Sequence, residues 1–140
     1  MKKLILASLA ILLLAASTTY ATQIGAKWSN ESKIQIQKRL EDLANKMNRN
    51  CPEKMDSETR LDKVTTGPGR RFNYYVTAMK DTSDTVDIAY IEDVTTPLIL
   101  KEYCSRVNLL YVNDTTLSYH YSGNDGSYIG TFEIAPDDCD

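Results

Sequence analysis

Few side chains in this sequence carry reactive chemistry, and their spacing joins them into no recognised constellation. Of 140 residues one is a histidine, His120, and three are cysteines, Cys51, Cys104 and Cys139. A single histidine rules out two-histidine acid–base catalysis within one chain. His120 is flanked by Tyr119 and Tyr121 in an alternating stretch, so it points away from the apolar side of a strand. Metal-ligand spacings are absent: there is no Cys-x-x-Cys, no His-x-x-x-His and no EF-hand loop. Asp137, Asp138 and Asp140 read as a solvated acidic tail. No Gly-x-Ser-x-Gly elbow and no Gly-rich phosphate loop occurs, so no cofactor is expected. Two openings for catalysis are left: a carboxylate pair drawn from the 19 acidic residues, or Cys51 as a thiol nucleophile. Together they define the alternative reading, a secreted effector or small hydrolase.

Recognition chemistry is better represented. Gly67-Pro68-Gly69-Arg70 has proline second and glycine third, the pattern of a type II turn, and it carries Arg70 and Arg71 at a hairpin tip. Paired arginines on a rigid turn can grip an anionic group or enter a partner surface. Eight of the nine tyrosines lie beyond residue 21, against two phenylalanines and one tryptophan. Tyrosine offers large contact area at low entropic cost and suits recognition surfaces, although it also suits strands. Arg70, Arg71, Tyr75 and His120 are therefore the expected binding residues.

The elements that must position these groups follow from periodicity. Ile36, Leu40, Leu43, Met47 and Cys51 recur at helical spacing over residues 29–50, with Ser32 and Gln35 as a capping box and Trp28 as a hydrophobic cover. Pro52 closes the helix. The period then changes to 2. Leu61 to Thr66 is a weaker strand, and Phe72, Tyr74, Val76 and Ala78 form a half-buried one. Residues 84–105 are assigned mostly to helix, with Pro97 as the start of a short segment. Three strands follow, over Val107–Val112, Leu117–Tyr121 and Tyr128–Ile134, as a meander. The expected fold is α+β: an N-terminal amphipathic helix on one mainly antiparallel sheet of about five strands, with a second short helical segment. A helix followed by a hairpin is similar in topology to cystatin-like inhibitors, although the hairpin reads Thr65-Thr66-Gly67-Pro68-Gly69 and carries no cystatin wedge motif.

The N-terminus supplies an address. Lys2 and Lys3 precede an apolar run from Leu4 to Ala16, then small residues end at Ala21, which is the layout of a secretory signal over residues 1–21. The run is too short for a stable membrane span. Residues 22–140 are expected to form a single globular domain, exported to the periplasm or beyond. In that oxidising setting one disulfide is expected. Three pairings are open, and Cys104 with Cys139 is favoured because it ties down the acidic tail. Such a loop contributes about 3–4 kcal/mol. Cys51 falls on the apolar helical stripe and reads as a packed thiol.

Charge is unevenly spread. Residues 22–80 hold 12 basic and 7 acidic groups, while residues 81–140 hold 2 basic and 12 acidic. An acidic second half argues against nucleic acid or an anionic membrane as partner and favours a basic protein. The leading expectation is a small exported protein-binding module without catalytic activity, acting on another envelope or secreted protein as inhibitor, immunity factor or assembly accessory.

Overall fold

The computed structural model describes residues 33–105, 108, 110 and 114–139. The expected leader, Trp28 and Ser32 lie outside the described residues. Helix α1 spans Lys33–Asn48 and buries Ile36, Leu40 and Ala44. Leu43, Met47 and Cys51 pack at the margin of the same cluster, so the apolar stripe is the face that meets the sheet.

The sheet has five strands in the order β1-β2-β3-β4-β5: β1 Glu53–Lys54, β2 Thr59–Gly67, β3 Arg71–Ala78, β4 Thr116–Gly123 and β5 Tyr128–Ile134. Pairing is antiparallel except between β3 and β4, which run parallel with Tyr75 opposite His120. Parallel neighbours need a long crossover, and helix α2, Ile88–Tyr103, lies within it. The fold is thus α+β with a mixed, mostly antiparallel sheet. The C-terminal β region is a hairpin, β4–β5, rather than a meander. Most of the strand expected over 107–112 lies outside the described residues, the described Leu110 is helical rather than extended, and the sheet's fifth member is the two-residue β1.

Helix α2 is longer than the short segment expected from Pro97. It begins at Ile88, where the N-cap Asp87 accepts a hydrogen bond from the Ala89 amide at 2.9 Å. That cap satisfies one of the unpaired amides of the first turn and sets the start nine residues before the proline. Pro97 lies inside the helix on an exposed position, so solvent can satisfy the carbonyl that loses its intrahelical partner. Gly130 on β5 allows α2 to approach: a Cβ there would lie 2.5 Å from the Ile88 Cβ.

Both helices share one cluster with the same side of the sheet. Ile36 and Leu40 of α1, and Ile91, Ile99 and Tyr103 of α2, pack with Leu61, Val64, Phe72, Tyr74, Val76, Leu117, Tyr119, Tyr121, Phe132 and Ile134. Among the described residues the result is two layers, with a core face under the helices and an open face opposite. Cys104, at the end of α2, is bonded to Cys139 in the 3-10 turn Pro136–Cys139, with Cα atoms 5.4 Å apart. No described helix is long and apolar enough to cross a membrane.

Candidate functional site: the open face of the sheet

Period-2 alternation sends every second residue of β3 to the face without helices: Arg71, Asn73 and Tyr75, each partly exposed. The register then aligns side chains into rows across the strands. The central row runs Lys63–Tyr75–His120–Thr131 over β2 to β5. The Lys63 ammonium sits 4.5 Å from the Tyr75 ring centroid, in cation–π range. The Tyr75 and His120 rings stack with centroids 4.6 Å apart and planes 12° apart. His120 Nδ1 lies 2.9 Å from Thr131 Oγ1, which in turn lies 2.8 Å from the Tyr128 hydroxyl.

A second row is held by charge. Arg71 is ion-paired with Glu133 and donates to Ser118 Oγ at 3.1 Å, while Ser118 donates to Glu133 at 2.9 Å. Asn73 donates to Thr65 Oγ1 at 3.1 Å. Toward the other end, Arg60 pairs with Asp62 at 2.5 Å, and Asp62 accepts from the Thr77 hydroxyl. Both arginines on this face are thus ion-paired, which preorganises them, while Lys63 lies over the Tyr75 ring.

The electrostatics agree. Partial burial, and secondarily the positive charge of Arg71, lower the His120 pKa, so the imidazole is neutral at pH 7. A neutral ring can accept from Thr131 and stack without a desolvated charge. Cys51 behaves in the opposite sense. Burial first, then Glu53 and Asp62, raise its thiol pKa, and its sulfur lies 3.5 Å from the Met47 carbonyl. A thiol held protonated is a poor nucleophile. Among the described residues no cluster of three or more His, Cys, Asp or Glu side chains can hold a metal ion.

The structure brings three of the four expected binding residues onto one face, with Tyr75 against His120 and Arg71 close enough to influence the imidazole. Arg70 stands apart at the hairpin tip. Gly69 takes φ +72° there, as the proposed turn requires, and Arg70 itself takes φ +57°. That left-handed conformation is costly for a residue with a Cβ. It is held by a 3.0 Å bond from the Thr116 amide to the Arg70 carbonyl and by the guanidinium's ion pair with Asp114 at 3.4 Å. The two arginines therefore do not act as one bare dication.

Tyrosine divides between the faces. Tyr74, Tyr103, Tyr119 and Tyr121 are buried. Among the described tyrosines, Tyr75 and Tyr128 lie on or beside the open face. Lys63 and Thr131, which complete the central row, escaped sequence reasoning because neither residue type marks a site until the register is known.

No family model and no curated protein matches the sequence. Solved structures do resemble it in fold. A Pseudomonas aeruginosa protein classed as secreted superposes with a TM-score of 0.62 at 15% identity, over 79% of this chain and 100% of that one. The pilotin EpsS of the Vibrio vulnificus type 2 secretion system gives 0.59 at 10% identity, over 77% of this chain and 94% of its own. The type II secretion system pilotin AspS of Vibrio cholerae gives 0.52 at 10% identity, over 78% and 100%. At these identities the likeness is one of fold.

Proposed function

We propose that this chain is an exported, non-catalytic accessory of a bacterial envelope assembly, which works by binding another envelope protein through the open face of its sheet. The observation that carries the reading is the fold shared with two secretion-system pilotins across more than three-quarters of the chain. The secretory layout of residues 1–21 and the fold of the secreted Pseudomonas protein support export. The protonated Cys51 thiol supports a role without covalent chemistry, and the His120 ring, stacked on Tyr75 with Nδ1 against Thr131, is held as part of a surface.

On this reading the stacked Tyr75 and His120 rings, with Lys63 over Tyr75, form an aromatic contact ridge, and Arg71 with its Glu133 partner forms a polar margin beside it. Tyrosine and arginine are the residue types that dominate interface energetics when a partner desolvates them. Arg70 contributes from the hairpin tip. The acidic second half favours a basic partner through faster association.

The test is affinity capture from envelope extract at low and at moderate salt, with residues 22–140 as bait. A stoichiometric partner that is lost with Tyr75→Ala/His120→Ala, and weakened with Arg70→Ala/Arg71→Ala, supports the reading. A partner retained by both double variants removes the open face as the binding surface. An empty capture at both salts removes the binding role.

A further inference from the structure

The two edges of the sheet are finished differently, and the difference identifies a second point of attachment. On the β2 side, β1 covers Arg60 and Leu61. Beyond it the side chain of Asn48, the last residue of α1, does the work of a missing strand. Its amide nitrogen donates to the Val64 carbonyl and its oxygen accepts from the Val64 amide, both at 2.7 Å. Gln37 adds a 3.3 Å contact to Thr66 Oγ1. This edge is closed to pairing at Val64.

β5 forms the other edge. Among the described residues, no hydrogen bond beyond its pairing with β4 reaches its backbone. The strand Tyr-Ile-Gly-Thr-Phe-Glu-Ile contains no proline and no lysine, the usual guards of an edge. Its one charge, Glu133, is already engaged by Arg71 and Ser118. Tyr128, at its start, is 64% exposed and could cover an added backbone. Seven residues extend over about 24 Å, enough to pair a short peptide segment.

Charge selects the occupant. Exposed Asp125 precedes β5, and exposed Asp137 and Asp138 follow it. Helix α2, packed beside this strand, exposes Glu92 and Asp93. A second copy would bring two such acidic margins together, which repel. An extended segment with Lys or Arg at its ends would instead meet carboxylates at both ends of the strand. We infer that the free edge of β5 takes up an extended, basic segment of the protein partner as a sixth strand, continuous with the open face. Backbone pairing supplies affinity and the flanking charges supply selectivity, as in other strand-addition complexes. The inference rests on the protein-binding reading above.

The experiment selects a random-peptide display library against the full chain and follows amide hydrogen exchange in β5 with the synthesised winners. The expected peptides alternate β-branched or aromatic residues and carry Lys or Arg. They should slow alternate β5 amides roughly tenfold and lose affinity as salt rises. Asp93→Lys with Asp137→Lys should weaken them roughly tenfold without altering the melting transition. Selection of acidic peptides, protection confined to other elements, or β5 amides that are uniformly slow in the free monomer would overturn the inference. So would β5 protection that appears only as the chain dimerises, because the occupant is then a second copy. If affinity capture yields a partner that leaves β5 exchange unchanged, strand addition fails while the binding role stands. An empty capture removes both.

Discussion

On β3 and β4, neighbouring residues stack in pairs on opposite sides of the same sheet. Tyr74 and Tyr119 stack in the core at 4.9 Å, with Phe132 continuing the stack at 5.1 Å. One position along, Tyr75 and His120 stack on the open face at 4.6 Å. Register and ring geometry are nearly the same, yet the surroundings give the pairs different roles. The core pair is sealed under α1 and α2, and burial raises the Tyr74 and Tyr119 phenols well above their ordinary pKa. The open pair keeps water on one side and polar neighbours around its rim. Stacking under the helices secures the fold, whereas stacking on the open side prepares a surface.

The largest test of that contrast is truncation in the core. Tyr119→Ala removes a fully buried ring between two aromatic neighbours and should cost about 3–5 kcal/mol, read as a shift in the denaturant midpoint. Tyr119→Phe sharpens the point. The Tyr119 hydroxyl is buried with no hydrogen-bond partner among the described residues, so its removal should be neutral or stabilising by about 1 kcal/mol. A large loss on Tyr119→Phe would show that the hydroxyl is satisfied and that the core row is held by polarity as well as packing.

An edge variant has the next largest effect. Asn48→Ala leaves the Val64 amide and carbonyl without their side-chain partners. The expected cost is about 1–3 kcal/mol, together with new self-association as a second pairing edge opens. Sedimentation and urea melts read the two effects separately. An Asn48→Ala protein that stays monomeric and fully stable would show that Asn48 is not what closes this edge.

The contrast between faces also explains what the sequence discloses. The α1 stripe, the β2–β3 hairpin and the alternation on β3, β4 and β5 are local patterns, visible because burial on one side imposes a period of 3.6 or 2. Pairing is not local. The same alternation fits a meander or a crossover, and the long connection that holds α2 is what lets β3 and β4 run parallel as neighbours. Asp87 hides the true start of α2 because one N-cap outweighs the proline that draws the eye. Three members of the candidate site are legible in the sequence, Arg71 as a hairpin-tip arginine, Tyr75 as one of many tyrosines and His120 from its phase on the strand. Lys63 and Thr131 enter through register, and the Asn48 clamp through a tertiary contact with no sequence signature. The tyrosine surplus misleads in the other direction, since four of the seven described tyrosines are core residues.

Tyr75→Ala should separate stability from binding. The ring lies on a wet surface with one face against His120, so its loss should cost about 1 kcal/mol or less of stability. Partner affinity should fall by about tenfold or more if the ring is desolvated in the complex. A stability loss comparable to that of Tyr119→Ala would erase the distinction between the two faces.

The smallest effect is the pH response of the open pair. The His120 pKa is lowered in the folded chain relative to 6.5, so the unfolded chain binds the proton more tightly. The contribution of this group is therefore complete above about pH 6.5 and is lost as pH falls toward the folded-state value. Solvent screening on a partly exposed ring keeps the change well below about 1 kcal/mol. Protonation also removes the lone pair that Thr131 can donate to and places a cation close to Arg71. Melting temperatures measured from neutral to mildly acidic pH should fall slightly more steeply for the native chain than for His120→Gln. Parallel profiles would mean that the imidazole titrates freely and that its stack with Tyr75 does not distinguish the neutral from the charged ring. A steeper fall for His120→Gln would place the acid-sensitive group elsewhere, among the carboxylates that pair with Arg60, Arg70 and Arg71.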